Sequence, residues 1–180
     1  MMLDYKGNIS DHMDFDQLLS DIKKQQGDLR LFDPKMFDLA DPGMRMMGDL
    51  WSRAGYDPSS IEWFNYYSGK HFDAAYTEKF SELFGCQPLK VWVSEIRPGK
   101  FFPRHWDVDT DVSSYEGKKL VRYHAHIQDY RFGQFFQVEN HMCINYQKGD
   151  VYKWSSYDVW HGGGNIGMEP KYTFNYLGSE

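Results

Sequence analysis

The sequence predicts a mainly β fold with some helix, of the jelly-roll or double-stranded β-helix (cupin-like) kind, preceded by an N-terminal helical region. Aromatic residues make up 18% of the 180 residues, and aromatic side chains favour strands and line small-molecule pockets. From residue 88 onward, about eight short β-rich runs follow one another at close spacing, which is typical of two sheets closed around a pocket. Helical spacing is confined to the first half. We therefore expect one compact domain, with region 1–87 packed on a β core formed by 88–180.

Three segments in the first half predict helices. Residues 14–24 place apolar side chains at helical spacing, with acidic residues early and lysines late. A second helix is predicted to begin near Pro42, because proline is tolerated in a first turn. Residues 73–84 form the third, and Gly85 is its predicted C-terminal stop.

The second half is divided into strands by turn-like dipeptides and tripeptides such as Arg97-Pro98-Gly99. The predicted strands are Leu89–Ile96, Lys100–Trp106, Lys119–Gln128, Gly133–Asn140, Met142–Tyr146, Asp150–Trp154, Asp158–His161 and Lys171–Leu177. The glycines that follow His161 predict a bend with close backbone approach beside a ligand.

Charge and composition exclude several classes of protein. The formal net charge is −6, and no basic stripe is visible, so a nucleic-acid partner is not expected. No run of about 18 apolar residues predicts a membrane span. Asp4 and Asp11 fall where a signal peptide needs an apolar core, so a cytoplasmic location is expected. The two cysteines form no CxxC pair, which argues against a disulfide framework and a thiolate zinc site.

The pattern His-x-Asp occurs three times, beginning at His12, His71 and His105. Aspartate is common in this sequence, so the pattern alone carries little information. The first two copies lie near predicted helix starts, where the aspartate would favour the N-terminal turn. Only the copy at His105 ends a β-rich run.

His105 and Asp107 are the candidate metal ligands in this motif. In an extended segment residues i and i+2 point to the same side, so the imidazole and the carboxylate converge. Two histidines and one carboxylate form the facial triad of non-haem Fe(II) oxygenases. His161, at the end of a later strand, is the best candidate for the third ligand.

These residues carry a family resemblance. The segment from about Leu89 to Leu177 resembles the 2-oxoglutarate- and Fe(II)-dependent dioxygenases, and its C-terminal part is similar to the aspartyl/asparaginyl β-hydroxylase and free-proline hydroxylase branch. The motifs are HWD, the later segment KGDVYKWSSYDVWHGGGNIG with His161, and Lys171 ten positions after that histidine. In the family a basic residue near this spacing binds the distal carboxylate of 2-oxoglutarate. It is commonly arginine, so Lys171 departs from the pattern.

The segment LVRYHAHI supports the resemblance. Alternation places Arg122, His124 and His126 on one face of its strand, and the last strand likewise places Lys171 and Thr173 on a polar face. The β-hydroxylase branch has a similar Arg-x-His that contacts the co-substrate carboxylates. His126 matches no motif and is expected to be structural or to line the substrate site.

The resemblance implies an Fe(II)-dependent hydroxylase of amino-acid side chains, free or in a peptide, that uses O2 and releases succinate and CO2. Fe(II) would be held by His105, Asp107 and His161. The co-substrate 2-oxoglutarate would be oriented by Arg122, His124, Lys171 and Thr173. The segment Val108–Gly117 is a candidate substrate lid. Residues 1–85 match no motif, and the oligomeric state is left open.

The sequence leaves two alternative functions open. A non-catalytic β-sandwich binding or structural protein would not need His105, Asp107 and His161 to converge. A cupin-like metalloenzyme without 2-oxoglutarate would keep a metal site but lack the cationic pair Arg122 and Lys171, and it would often use further histidines as ligands.

Overall fold

The computed structural model describes residues 3–31, 42–106, 119–154 and 159–180, with the backbone only for 42–44. The elements are β1 (Asp4–Asn8), α1 (Phe15–Lys23), β2 (Asp28–Leu31), α2 (Pro42–Arg53), a short 3-10 turn (Pro58–Ser60), β3 (Glu62–Tyr67), α3 (Ala75–Phe84), β4 (Gln87–Ile96), β5 (Lys100–His105), β6 (Leu120–His126), β7 (Gln134–Val138), β8 (His141–Cys143), β9 (Asp150–Trp154), β10 (His161–Asn165) and β11 (Lys171–Ser179).

The strands form two antiparallel sheets. The larger has seven strands in the order β1-β9-β6-β11-β4-β3-β2, and the smaller has four in the order β5-β10-β7-β8. Both sheets contribute side chains to one cavity between them. The predicted fold class is therefore confirmed: the protein is mainly β, with a double-stranded β-helix core.

The three predicted helices are present. The Asp14 side chain accepts a hydrogen bond from the Gln17 amide at the start of α1, and Asp73 accepts one from the Ala75 amide at the start of α3. These are the helix-start roles expected for the aspartates of the first two His-x-Asp copies. Gly85 ends α3 in the left-handed conformation, with φ of 62°.

Alternation along the strands separates the core from the cavity. On β11, Tyr172, Phe174 and Tyr176 belong to the main hydrophobic core, whereas the residues between them line the cavity. Helices α1 and α3 cover this core face, with Phe15 and Phe80 fully buried in it. The helices thus hold the seven-stranded sheet from outside and leave its inner face for the site.

The ring of Phe80 is the centre of an aromatic cluster on the outer face. Its centroid lies 4.9 Å from that of Tyr176 and 5.2 Å from that of Phe174. We expect Phe80→Leu to lower the free energy of unfolding by about 1–2 kcal/mol, because the ring contacts are lost while most of the volume is kept. Urea unfolding measures this. The control Phe132→Leu, at a side chain that is 89% exposed, should change stability by less than about 0.5 kcal/mol.

Two predictions of local structure need correction. The glycines after His161 form a strand rather than a bend, because β10 begins at His161 and pairs with both β5 and β7. The first half was expected to contain helices and loops, but β1, β2 and β3 add strands from it to the seven-stranded sheet. Short runs such as β2 show no alternation in burial, so their pairing depends on the neighbouring strand and not on a hydrophobic pattern.

None of the helices within the described ranges has both the length and the apolar character needed to cross a membrane.

Candidate active site

The structure brings two of the predicted metal ligands together. His105 ends β5, His161 begins β10, and the two residues are direct partners in the antiparallel register. Their ring centroids are 4.2 Å apart, and both side chains are buried and line the cavity between the sheets.

Backbone carbonyls set the orientation of both imidazoles. His105 Nδ1 lies 2.8 Å from the Pro103 carbonyl oxygen, and His161 Nδ1 lies 3.0 Å from the Val159 carbonyl oxygen. A carbonyl only accepts, so each Nδ1 carries the proton and donates it. In each ring the other nitrogen, Nε2, then holds the lone pair that a metal requires.

The predicted carboxylate ligand Asp107 lies outside the described residues, as does the candidate lid Val108–Gly117. Within the described ranges, no group of three or more histidine, cysteine, aspartate or glutamate side chains could hold a metal ion. The described part of the chain therefore supplies two imidazoles of the predicted triad, and the assignment of Asp107 stays a prediction.

The cavity has a volume of about 520 Å³, within the usual range for small-molecule sites. Aromatic side chains form much of the wall beside His105. The ring of Phe102 lies 3.7 Å from that of His105 and stacks on Trp63 at 4.0 Å. Trp51, on α2, meets His105 edge-on. These contacts fix the His105 ring and make the region apolar.

Lys171 is the most deeply buried charged residue of the cavity, with 1% of its surface exposed. Its Nζ donates to the Phe135 carbonyl oxygen at 2.6 Å and lies 5.5 Å from the centre of the Phe136 ring. A Cβ atom on Gly163 would lie only 3.2 Å from that Nζ. The close approach expected of the glycines is thus present, because Gly163 leaves room for the lysine head group.

Burial lowers the pKa of the Lys171 ammonium group from 10.5 to about 7. In the described part of the chain Lys171 makes no ion pair with a carboxylate. Desolvation is the main cost of keeping a positive charge on Lys171. An anion that enters the cavity would therefore stabilise the protonated form of the lysine.

The buried lysine makes stability depend on pH in a defined window. Between about pH 7 and pH 10.5 the unfolded chain carries a proton on Lys171 that the folded chain lacks, so this group makes the free energy of unfolding rise with pH. Below this window both states are protonated, and the burial cost is fully present. We expect a Lys171→Met variant to be more stable than the parent at pH 7 and to lose this advantage as the pH approaches 10.5. Urea unfolding of both proteins across the window measures it, and parallel profiles would contradict it.

A polar network covers the floor of the cavity. His124 Nδ1 lies 3.0 Å from Asn175 Oδ1, and the Asn175 amide donates to Ser94 Oγ at 3.1 Å. Ser94 in turn donates to Asn65 Oδ1 at 3.0 Å. The His124 ring stacks on Phe136 at 3.7 Å. His124 is therefore held by partners on both sides, and Thr173 lines the cavity beside it.

The backbone positions of Arg122 and Lys171 lie far apart along the large sheet. Arg122 is the register partner of Leu177 on β11. Lys171 is six residues away along that strand, so the two backbone positions are separated by about 20 Å. Both side chains line the cavity, but Arg122 lies beside Trp92, with its guanidinium 5.1 Å from the ring centre.

Two buried side-chain nitrogen atoms of cavity residues have no hydrogen-bond partner among the described residues: His124 Nε2 and Trp154 Nε1. Both residues line the cavity. His126, whose two nitrogens also lack a partner, stacks on Tyr146 at 3.5 Å and is not part of the cavity wall. Of the two open roles for His126, a structural role is favoured, because the ring is fully buried.

Sequence reasoning missed the residues that the first half contributes to the wall. Trp51 comes from α2, Trp63 and Tyr67 from β3, and Arg30 from β2. No motif marks them. The aromatic run Glu62–Tyr67, read as a strand, would have been the one available signal.

No family model matches the chain, and no curated protein matches it in sequence. Among solved structures, a viral collagen prolyl hydroxylase from Paramecium bursaria Chlorella virus-1, in complex with 2-oxoglutarate, has a TM-score of 0.53 and 15% identity over 84% of this chain and 96% of its own. This similarity establishes the fold.

Two other structures are also similar. A Pseudomonas putida prolyl-4-hydroxylase has a TM-score of 0.48 and 8% identity, covering 93% of this chain and 100% of its own. A predicted oxalate decarboxylase from Thermotoga maritima has a TM-score of 0.42 and 9% identity over 66% of this chain and 82% of its own. At 15% identity the viral structure shows the fold alone, so the aspartyl/asparaginyl branch named from the sequence stays a prediction.

Proposed function

We propose that the protein is an Fe(II)- and 2-oxoglutarate-dependent oxygenase that hydroxylates an amino-acid side chain, free or in a peptide, with release of succinate and CO2. One observation carries the proposal: the two pre-oriented imidazoles of His105 and His161 line the same cavity as the buried amino group of Lys171. A metal ligand pair and an anion site in one cavity is the arrangement that this chemistry requires.

The residues present fit the metal. His105 and His161 offer Nε2 lone pairs, and Asp107 is two positions from His105 on the chain. Iron bound there would supply the activation of O2 for oxidation of a C–H bond. The chain's own contribution is to orient the imidazoles through the carbonyls of Pro103 and Val159 and to exclude water with the aromatic wall.

The residues also fit 2-oxoglutarate. Lys171 provides a buried positive charge, and Thr173 adds a hydroxyl two residues along the same strand face. His124 is oriented by Asn175 toward the same interior. We assign the distal carboxylate to Lys171 and Thr173 rather than to Arg122, because Lys171 is almost fully buried and Thr173 lies two residues along the same strand face, whereas the backbone position of Arg122 is about 20 Å away along β11. The viral hydroxylase of similar fold was solved with 2-oxoglutarate, which supports 2-oxoglutarate as the co-substrate.

The two alternatives are less consistent with the geometry. A non-catalytic β-sandwich gives no reason for His105 and His161 to face each other at 4.2 Å. A cupin-like enzyme without 2-oxoglutarate would draw on further histidines, but among the described residues no group of three or more histidine, cysteine, aspartate or glutamate side chains could hold a metal ion. Such an enzyme also leaves the buried charge of Lys171 without a partner anion.

One anaerobic experiment separates these possibilities. Fe(II) and 2-oxoglutarate are added to the protein without oxygen, and the metal-to-ligand charge-transfer band is recorded. The proposal predicts a band in the parent protein that is lost in His161→Ala. Absence of the band in the parent protein would refute it. Succinate release with candidate amino acids and peptides then addresses the substrate.

A further inference from the structure

Three cationic side chains besides Lys171 line the cavity: Arg30 and Lys90, which are exposed, and Arg122, which is buried. Together with the rings of Tyr67 and Trp92 they form what we call the cationic strip, and all five residues line the cavity. The exposure of Arg30 and Lys90 contrasts with the burial of Lys171. On β4, Lys90 is followed at alternate positions by Trp92, so both point into the cavity.

The strip runs across the strands of the large sheet. Arg30 is on β2, Lys90 on β4 and Arg122 on β6, with β3 and β11 between them. Four inter-strand spacings separate the first from the last, which amounts to about 19 Å. One free amino acid cannot reach both ends, whereas an extended peptide can.

Aromatic rings hold the cations in place. Lys90 Nζ lies 5.6 Å from the centre of the Trp92 ring and 6.0 Å from that of Tyr67. Arg30 donates to the Tyr67 hydroxyl at 2.7 Å. Lys90, held over these rings, keeps its charge available to a ligand, because a ring does not neutralise a cation as a carboxylate would. Arg30 also interacts with the Asp28 carboxylate on β2.

The cavity wall carries positive charge, whereas the whole chain carries a net negative charge. The net charge is −6, yet no described residue of the cavity wall is an aspartate or a glutamate. At Tyr67, burial raises the pKa of the hydroxyl, but the hydrogen bonds from Arg30 and Asn65 and the charges of Arg30 and Lys90 bring it below its usual value. The strip therefore favours negative charge.

We propose that the cationic strip binds acidic side chains of a peptide substrate, next to the residue that is presented to the metal site. The carboxylates would pair with Arg30 and Lys90, and the aromatic faces would contact the peptide backbone. The width of the strip favours a peptide over a free amino acid. The negative field of the whole protein disfavours a long polyanion such as nucleic acid. The hydroxylation of the bound peptide rests on the proposed function, whereas the binding of acidic side chains by the cationic strip does not.

Fluorescence anisotropy tests the binding without metal or co-substrate. The probes are labelled short peptides of equal length with Glu, Gln or Lys at alternate positions. We expect the Glu peptide to bind most tightly and to weaken with added salt. Lys90→Glu should weaken its binding roughly five- to tenfold, with a further loss on adding Arg30→Glu. The matched control Lys79→Glu makes the same charge change at an exposed residue of α3, outside the cavity wall, and should leave binding nearly unchanged.

Any of the following results would overturn the proposal: equal binding of the Glu and Gln peptides, equal losses in Lys90→Glu and Lys79→Glu, or competition by free glutamate as strong as that by the Glu peptide. Tighter binding of a single-stranded oligonucleotide of equal charge would also overturn it. Failure of the proposed function can be distinguished from failure of the cationic strip. A parent protein that selects the Glu peptide but shows no charge-transfer band would refute the oxygenase and retain the strip.

Discussion

Replacing Lys171 with methionine is expected to weaken 2-oxoglutarate binding on the order of a hundred- to a thousandfold. The lysine is buried, and removing one member of a buried, hydrogen-bonded charge pair has effects of this size. Methionine keeps the length of the side chain, so the cavity shape is largely preserved. The loss would not come from unfolding, since burial penalises the charged form of Lys171 and its removal does not destabilise the empty protein.

Titration of 2-oxoglutarate into the anaerobic Fe(II) protein measures this effect through the charge-transfer band. Arg122→Gln is the comparison variant, because both positions are cationic and both line the cavity. We expect Arg122→Gln to change the 2-oxoglutarate affinity far less, since the backbone positions of Arg122 and Lys171 are about 20 Å apart along the sheet. The reverse ranking would move the co-substrate anchor to Arg122, and equal small losses would remove Lys171 from the site.

Replacing His161 with alanine is expected to lower Fe(II) affinity by more than about a hundredfold. Loss of an outer hydrogen-bonding partner of a metal ligand already costs 10- to 100-fold in metal affinity, and loss of the ligand costs more. His105→Ala should behave in the same way, because the two imidazoles are register partners oriented by equivalent carbonyl contacts. Asp107→Ala tests the third ligand, whose position the described residues do not include.

Fe(II) binding is measured by equilibrium competition with a chromogenic chelator. His12→Ala is the control, because His12 begins another His-x-Asp segment but is exposed, and its aspartate caps α1. A control variant that loses metal as His161→Ala does would show that binding is not at this site. Retention of full affinity in both His105→Ala and His161→Ala would refute the metal centre.

Much of the fold was predictable from local pattern. The strands from residue 88 onward alternate strongly enough to give their two faces, so Lys171, Thr173 and Asn175 could be assigned to one side of β11 and Phe174 to the other. The helices follow from apolar spacing and from caps such as Asp14 and Gly85. The strands before residue 68 escaped prediction because they are short and lack alternation.

The sequence by itself determined which residue types stand at alternate positions on each strand and the order of the histidine, aspartate and lysine motifs. It could not determine distances between strands, because these depend on register and on the meeting of two sheets. Only the tertiary structure placed His161 opposite His105 and brought Arg122 and Lys171 into the wall of one cavity.

The tertiary structure also decided which side chains the first half contributes to the cavity wall. Arg30 reaches the cavity through the pairing of β2 with β3, which no local motif records. Such contacts join residues distant in the chain, and their stability comes from burial and from hydrogen bonds between strands. Local pattern thus gave the candidate chemistry, and long-range packing decided which side chains share one cavity.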